Sequence, residues 1–428
     1  MLALPGPAVA GRTANRWGAA LNLTVLYTAA HGGFQREKAP LGGGAAVFEH
    51  LLAEWQRTRP FELQAITPSI LGANAPSGSD LTAYDESRYA AFSRAFESAS
   101  TQEILRHDPA RTVVLANDIS EGPNFRALAT RGFRVFTIFH VDVVDYVTNL
   151  YGRGWLAPET TVRWFPRLRW MLPEMASLVW DKQQAVVEAS RGLIVPSAGM
   201  RDVLLRCYPE CPPAKIHVLP WGNWHAATPA DPASVTALRR EFQVPVDASV
   251  VLTLSRISPE KGQDLLLESL LEWEHRGDLP SQPLYVFICG DAAFMQGQRH
   301  MAKLRALAAK LRRIRAIFPG HVTGDRKRAF FELADLYVFP SRHESYGLTL
   351  LEAMAAGLPS VCLDTHGARS VMRPEFGAIV DRRNLAQAIA RLLSDPVGRA
   401  RMGNAAKAFA ERQNFAERAV DLSKILER

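Results

Sequence analysis

Residues 340–363 constrain this chain more than any other stretch. They read Pro-Ser-Arg-His-Glu-Ser-Tyr-Gly-Leu-Thr-Leu-Leu-Glu-Ala-Met-Ala-Ala-Gly-Leu-Pro and continue as Ser-Val-Cys-Leu. The pattern predicts a strand end, a tight loop, a short helix stopped by Gly357 and Pro359, and a second strand. With the helix opening near Gly347, its unpaired N–H groups and the positive end of its dipole face whatever lies before the loop. That is a seat for phosphate. Two acids accompany it, Glu344 in the loop and Glu352 in the helix, with seven residues between them. At about 1.5 Å per residue, Glu352 lies roughly 7 Å along the helix. A nucleoside diphosphate fits such a spacing, with its phosphates at the helix start and its ribose hydroxyls on Glu352.

At 428 residues the chain is longer than one core usually serves, so two domains are expected. The reading is a loose tail over 1–20, a first Rossmann-like domain over 21–222, a linker over 223–245 and a second Rossmann-like domain over 246–408. Residues 409–428 are expected to form a helix crossing back onto the first domain. Apolar residues make up 47%, yet no run is long enough for a transmembrane helix. The first residues lack the basic start of a secretory signal. Strands are expected at 23–27, 112–116, 135–139 and 192–195 in the first half, and at 249–255, 284–289, 336–339 and 360–363 in the second. Helices are expected at 263–275 and, strongly basic, at 301–315. Alternation of this kind argues for parallel sheets covered on both faces.

Four cysteines, Cys207, Cys211, Cys289 and Cys362, are too few and too scattered for a disulfide framework and suit a reducing compartment. No metal site is expected. The net charge of +7 favours anionic partners without choosing among them. Nucleic acid is not among those expected, since no stacked-aromatic RNA motif, recognition helix or zinc-finger spacing occurs.

Further candidate residues sit at predicted strand ends, where open αβ sheets bind ligands. Ser255-Arg-Ile-Ser-Pro-Glu-Lys-Gly-Gln263 brings Arg256 and Lys261 there, two cations suited to a leaving diphosphate. Gly42-Gly43-Gly44 precedes an amphipathic helix and permits close approach of its backbone to a ligand. His140 and Asp142 follow another strand, and Asp291 and Arg326 follow two more. Arg163-Trp-Phe-Pro-Arg-Leu-Arg-Trp170 fits a lipid interface, a carbohydrate clasp, or core aromatics with solvated arginines.

The Glu-x7-Glu spacing within PSRHESYGLTLLEAMAAGLPSV, together with Arg256 and Glu260-Lys261-Gly262, resembles the retaining glycosyltransferases of family GT4. Their fold is GT-B, two Rossmann-like α/β domains facing each other across a cleft. The resemblance implies transfer of a sugar from a nucleotide diphosphate sugar to a hydroxyl of a glycan, glycolipid or small molecule, without cofactor or metal. It implies that Arg256 and Lys261 grip the diphosphate. N–H groups near Tyr346, Gly347 and Leu348 would bind phosphate or sugar oxygens, and Glu352 the ribose. Glu344 would meet the donor sugar, with His140 facing it and Gly43 beside the donor phosphates. Asp291 and Arg326 would border the base, and Asp142 the acceptor. The expected location is the cytoplasm, with peripheral contact at the inner membrane face. Two departures stand out: Gly290-Asp291-Ala292 where the family often has Gly-Asp-Gly, and Thr365-His-Gly-Ala-Arg369 where it usually has Gly-Gly and a Glu. A phosphorylase on the same fold, a nucleotide-sugar epimerase and a silent binding scaffold remain as rival readings.

Overall fold

The computed structural model describes residues 23–34, 42–145, 148, 157–171, 174–224, 228–293 and 296–428. The tail expected over 1–20 and residues 225–227 of the linker lie outside the described residues. Two six-stranded parallel sheets organise the rest. The first has the order β2-β1-β3-β4-β5-β6, formed by Thr24–Thr28 (β1), Glu62–Ile66 (β2), Thr112–Ala116 (β3), Arg134–Ile138 (β4), Gly192–Val195 (β5) and Ile216–Val218 (β6). The second has the order β12-β11-β10-β7-β8-β9. Its strands are Ser249–Leu254 (β7), Leu284–Cys289 (β8), Ile314–Gly320 (β9), Leu336–Phe339 (β10), Ser360–Leu363 (β11) and Gly377–Val380 (β12).

The central strands are apolar throughout because helices cover both faces of each sheet. β3 and β8 have every residue buried. One hydrophobic cluster runs without a break from Val25, Tyr27 and Trp55 through Trp221 and Phe415 to Leu252, Tyr337 and Leu350. The final helix, Phe415–Leu426, ties the chain's end to its beginning. The Trp55 indole donates to the Ala419 carbonyl at 3.2 Å, and Asn223 pairs with Asn414 in an isolated bridge.

The basic helix expected over 301–315 is corrected. The helix is Gly297–Ala308, and Ile314 begins β9. The Glu274 carboxylate accepts the backbone N–H groups of Arg312 at 2.8 Å, of Ile314 at 3.2 Å, and of Arg313 between them. Three donors on one carboxylate fix the turn that a run of helix-forming residues would otherwise continue through. In the Arg163–Trp170 segment, Phe165 packs inward with Val144 and Trp180. Trp164 and Trp170 point outward, 48% and 79% exposed. All four cysteines are buried free thiols. Among the described residues no helix is long and apolar enough to cross a membrane.

Candidate active site

Both sheets direct their carboxyl ends at one cavity of about 810 Å³. His31 follows β1, Asp118 and Glu121 follow β3, His140 follows β4, and Trp221 follows β6. From the other side come Arg256 and Lys261 after β7, Asp291 after β8, Gly324 and Lys327 after β9, and Glu344 to Glu352 after β10. Strand ends are where parallel sheets leave backbone groups and loops free to meet a ligand.

The second-sheet wall is built from two loops locked together. Lys261 ends a short turn, Pro259–Lys261, and Gly262 follows it with φ of +64°. A Cβ at Gly262 would sit 1.9 Å from the Pro340 carbonyl oxygen, so this position requires glycine. The backbone N–H of Arg342 donates to the Glu260 carbonyl at 2.8 Å. Its guanidinium grips Asp264 at 2.6 and 2.9 Å. Burial acts to raise the Asp264 carboxyl, but Arg342 and Lys303 overcome it and hold it well below the usual carboxylate range. Lys261 is thereby brought to Glu344, 2.6 Å from Oε2. Arg256 lies 3.6 Å from Glu260. Burial acts to raise the Glu260 carboxyl, and the Arg256 and Lys261 charges outweigh it and lower it.

The helix behind this loop is Leu348–Ala355, started by Gly347 at φ of +91° with no side-chain cap. Its first N–H groups therefore face the cavity as donors without a capping side chain. Tyr346 is anchored by its hydroxyl, which donates to the Trp221 carbonyl. Glu352 is buried and meets Lys327, with both carboxylate oxygens 2.7 Å from Nζ.

Two glycines bring the first domain's backbone against this wall, and a third lets it close on its own His140. A Cβ at Gly42 would lie 3.2 Å from the Arg256 Nε, one at Gly43 2.9 Å from Leu348, and one at Gly44 3.0 Å from the His140 ring. Larger residues at Gly42 or Gly43 would push the two walls apart. His140 Nε2 lies 3.0 Å from Asn117 Oδ1, which also accepts the Tyr27 hydroxyl at 2.9 Å. The Asn117 amide donates to the Gly44 carbonyl at 3.3 Å, fixing which end of the amide is oxygen. His140 therefore carries its proton on Nε2 and leaves Nδ1 as an acceptor. Burial pushes this imidazole down to about 4, against the opposing pull of Asp118, so it is neutral near pH 7.

Two sequence candidates are not where the cavity needs them. Arg326 points away from it, paired to Glu241 at 2.7 Å through both guanidinium nitrogens and stacked over Phe242 and Phe330. On the helix Gly324–Leu333, the cavity-facing positions are Gly324 and Lys327, three residues apart and on one face. Helical spacing from Gly324 selects Lys327 and excludes Arg326. Asp142 is 1% exposed and is spent on local structure. It accepts the Asp145 N–H and the Gln183 amide, each at 3.0 Å. Burial raises its carboxyl to about 6. It borders a small void with Asp145, His343, Glu344 and His366 and is not among the residues that line the large cavity.

The sequence reading also passed over His31, Tyr89, Asp118 and Glu121 on the first-sheet wall. Among the described residues, His31, Asp118 and Glu121 form a group whose ligand atoms lie within 4.8 Å of one another, close enough to share a metal ion. The polar run Asn117-Asp118 directly after an apolar strand is the signal that would have found them.

Residues 234–409 match the family model described as glycosyl transferases group 1. The matched stretch spans the second domain. This bears out the resemblance carried by the motifs between Arg256 and Pro359. Curated relatives include D-inositol 3-phosphate glycosyltransferases of Xylanimonas cellulosilytica, 31% identical over 58% of this chain and 59% of the relative, and of Salinispora tropica, 30% identical over 57% and 52%. The chain thus spans between half and three fifths of the length of the relatives it matches. Among solved structures, Anabaena HepE in complex with UDP-glucose aligns at a TM-score of 0.64 with 17% identity, covering 95% of this chain and 99% of that one. Sucrose-phosphate synthase of Thermosynechococcus elongatus aligns at 0.70 with 18% identity, over 95% and 98%. The glycosyltransferase group 1 domain is thus the second half of a GT-B fold that runs through the whole described chain.

Proposed function

We propose that this protein transfers a sugar from a nucleoside diphosphate sugar to an acceptor hydroxyl, retaining the anomeric configuration and using no metal. One observation carries the reading. Arg256, Lys261 and the uncapped start of the Leu348–Ala355 helix line the same wall as two carboxylates, each matched to a lysine. Two cations and a helix N-terminus are suited to take the charge that grows on the diphosphate as the glycosidic bond breaks. That supply of positive charge supports the reading without a metal.

In this mechanism the diphosphate displaces part of the Lys261 ammonium's hold on Glu344. The freed carboxylate then faces the donor sugar and stabilises its positive charge. Glu352, paired with Lys327, accepts the ribose hydroxyls. Neutral His140 takes a sugar hydroxyl hydrogen at Nδ1 from the opposite wall, and Asp291 borders the base. The acceptor oxygen attacks from the leaving-group face, and the departing phosphate oxygen receives its proton. Exposed Trp164 and Trp170 beside Arg163 and Arg167 support peripheral contact with an anionic membrane face, which co-sedimentation with anionic vesicles tests.

The deciding experiment offers UDP-, GDP- and ADP-sugars with chelator and an acceptor mixture, measures nucleoside diphosphate release, and reads the product's anomeric coupling by NMR. Acceptor-stimulated release with retained configuration is expected. Sugar 1-phosphate formed from inorganic phosphate would indicate a phosphorylase. An isomerised donor formed without acceptor would indicate an epimerase.

A further inference from the structure

The first-sheet wall carries one connected group of side chains that the mechanism above does not use. Asp118 and Glu121 stand in the turn after β3, His31 follows β1, and Tyr89 comes from the helix Glu86–Ile104. Asp118 accepts the Ala30 N–H at 2.8 Å and lies 3.4 Å from His31 Nδ1. The Tyr89 hydroxyl lies 2.9 Å from His31 Nε2 and donates to Glu121 at 2.7 Å. All four line the large cavity.

The hydrogen-bond inventory shows what this wall offers. Two ionised carboxylates have about eight acceptor sites between them. The contacts above supply three donors to them: the Ala30 N–H, one His31 nitrogen and the Tyr89 hydroxyl. Acceptor capacity is left over, facing the cavity. The charge points the same way. Burial acts to lower the His31 imidazole, but Asp118 raises it overall; burial and Asp118 also raise the Glu121 carboxyl, and with both carboxylates ionised even a protonated His31 leaves the group one negative charge in excess. Among the described residues lining the cavity, the Arg and Lys cations, Arg256, Lys261 and Lys327, all come from the other domain, the first two from the turn after β7 and the third from the Gly324–Leu333 helix. Lys261 is paired to Glu344 and Lys327 to Glu352, while Arg256 pairs with Glu260 and lies near enough to His31 and Tyr89 to act on their charge.

We propose that Asp118 and Glu121 receive the acceptor, and that the acceptor is an unphosphorylated polyol whose hydroxyls donate to these carboxylates. The assignment rests on the transferase reading and names its second substrate class. A hydroxyl-rich ring supplies the donors this wall lacks, and the half-buried Tyr84 ring beside it gives the ring an apolar face. A phosphate ester placed there would bring negative charge against negative charge, an arrangement that works against binding and selects partners.

The test is direct binding, measured by calorimetry with the full chain, nucleoside diphosphate and chelator in every sample. The probes are matched pairs, myo-inositol with inositol 3-phosphate and glucose with glucose 6-phosphate. The uncharged member of at least one pair is expected to bind about tenfold or more tightly than its ester. In Glu121→Gln, and separately in Asp118→Asn, that ratio is expected to shrink by about threefold or more, because the carboxylate charge is gone while the shape remains. Nucleotide affinity stays unchanged in both variants and reports an intact fold. Equal or tighter binding of the esters, an unchanged ratio in both variants, or no binding by any member overturns the assignment. A protein that binds polyol and nucleotide yet moves no sugar would instead sink the transferase reading and leave the polyol site standing.

Discussion

Replacing Lys261 with alanine tests the charge that the proposed transfer assigns to the leaving diphosphate. The ammonium sits 2.6 Å from Glu344, and the two side chains are 16% and 18% exposed, so it acts in a partly dry setting. A full charge about 4 Å away at an effective dielectric near 20 is worth about 4 kcal/mol. Only the charge that develops between ground and transition state counts towards kcat, roughly half a unit, or about 2 kcal/mol. That corresponds to about a 30-fold loss. Losing one aligned electrostatic donor in other enzymes costs about 10²- to 10³-fold, which sets the upper end. Steady-state nucleoside diphosphate release at saturating donor should therefore fall between about 30- and 1,000-fold. The donor KM should move by less than about fivefold, since Arg256 and the Leu348–Ala355 helix still hold the ground state. The lost pair costs only about 1 kcal/mol of stability, so the protein remains folded at assay temperature. A kcat within threefold of wild type, or a loss confined to KM, would refute the reasoning.

The remaining expectations concern binding, backbone and pH. Glu352→Gln should weaken nucleoside diphosphate binding by about 10- to 100-fold in calorimetry, the scale of a charge-assisted hydrogen bond. Arg326→Ala should leave that affinity unchanged, because its guanidinium is committed to Glu241 outside the cavity. Gly262→Ala forces a side chain against the Pro340 carbonyl at a positive φ and should cost more than about 2 kcal/mol in a denaturant titration. His140 and His343 are both pushed by burial to about 4. Each therefore binds fewer protons folded than unfolded, and stability rises as pH climbs from about 4 to about 6.5. Asp142, raised to about 6, opposes this from about 4 to about 6, most of that range. Two histidines outweigh one aspartate, so the melting temperature should rise from pH 4.5 to 6.5, and His343→Gln should flatten the rise. A flat wild-type profile would show that the burial argument fails.

What the sequence made legible follows from burial. Strands β3, β5, β8, β10 and β11 fall at the residues their apolar runs predicted, because each lies inside its sheet and is covered on both faces. The strands that went unread, β2, β6, β9 and β12, are all at sheet edges. Their sequences, ELQAI, IHV, IRAIFPG and GAIV, mix polar residues or glycine with apolar ones, and most of their residues are only partly buried. Edge strands meet solvent on one side and carry a weaker signal. In the site, Lys261, Glu344 and Glu352 were legible because motif spacing fixes them on one αβ unit. Lys327 was not, since its value depends on which face of the Gly324–Leu333 helix turns to the cavity. The His31, Tyr89, Asp118 and Glu121 group was hidden for a stronger reason: four residues spread over 91 positions meet only after β1 and β3 pair.

The two walls keep their acids in different ways, and the difference bears on order of binding. On the proposed donor wall two carboxylates are held by lysines, Glu344 by Lys261 and Glu352 by Lys327. A diphosphate arriving there competes for an existing ammonium and releases Glu344 in doing so. On the acceptor wall the carboxylates are held by a histidine and a tyrosine hydroxyl, which leaves negative charge facing the cavity. Before the donor binds, Lys261 is engaged by Glu344. After it binds, the diphosphate adds negative charge to the cleft, which disfavours a second anion and costs a neutral polyol nothing in Coulomb energy. The charge layout thus favours donor first and an uncharged acceptor second. Product-inhibition patterns test that order directly: nucleoside diphosphate should compete with the donor and not with the acceptor.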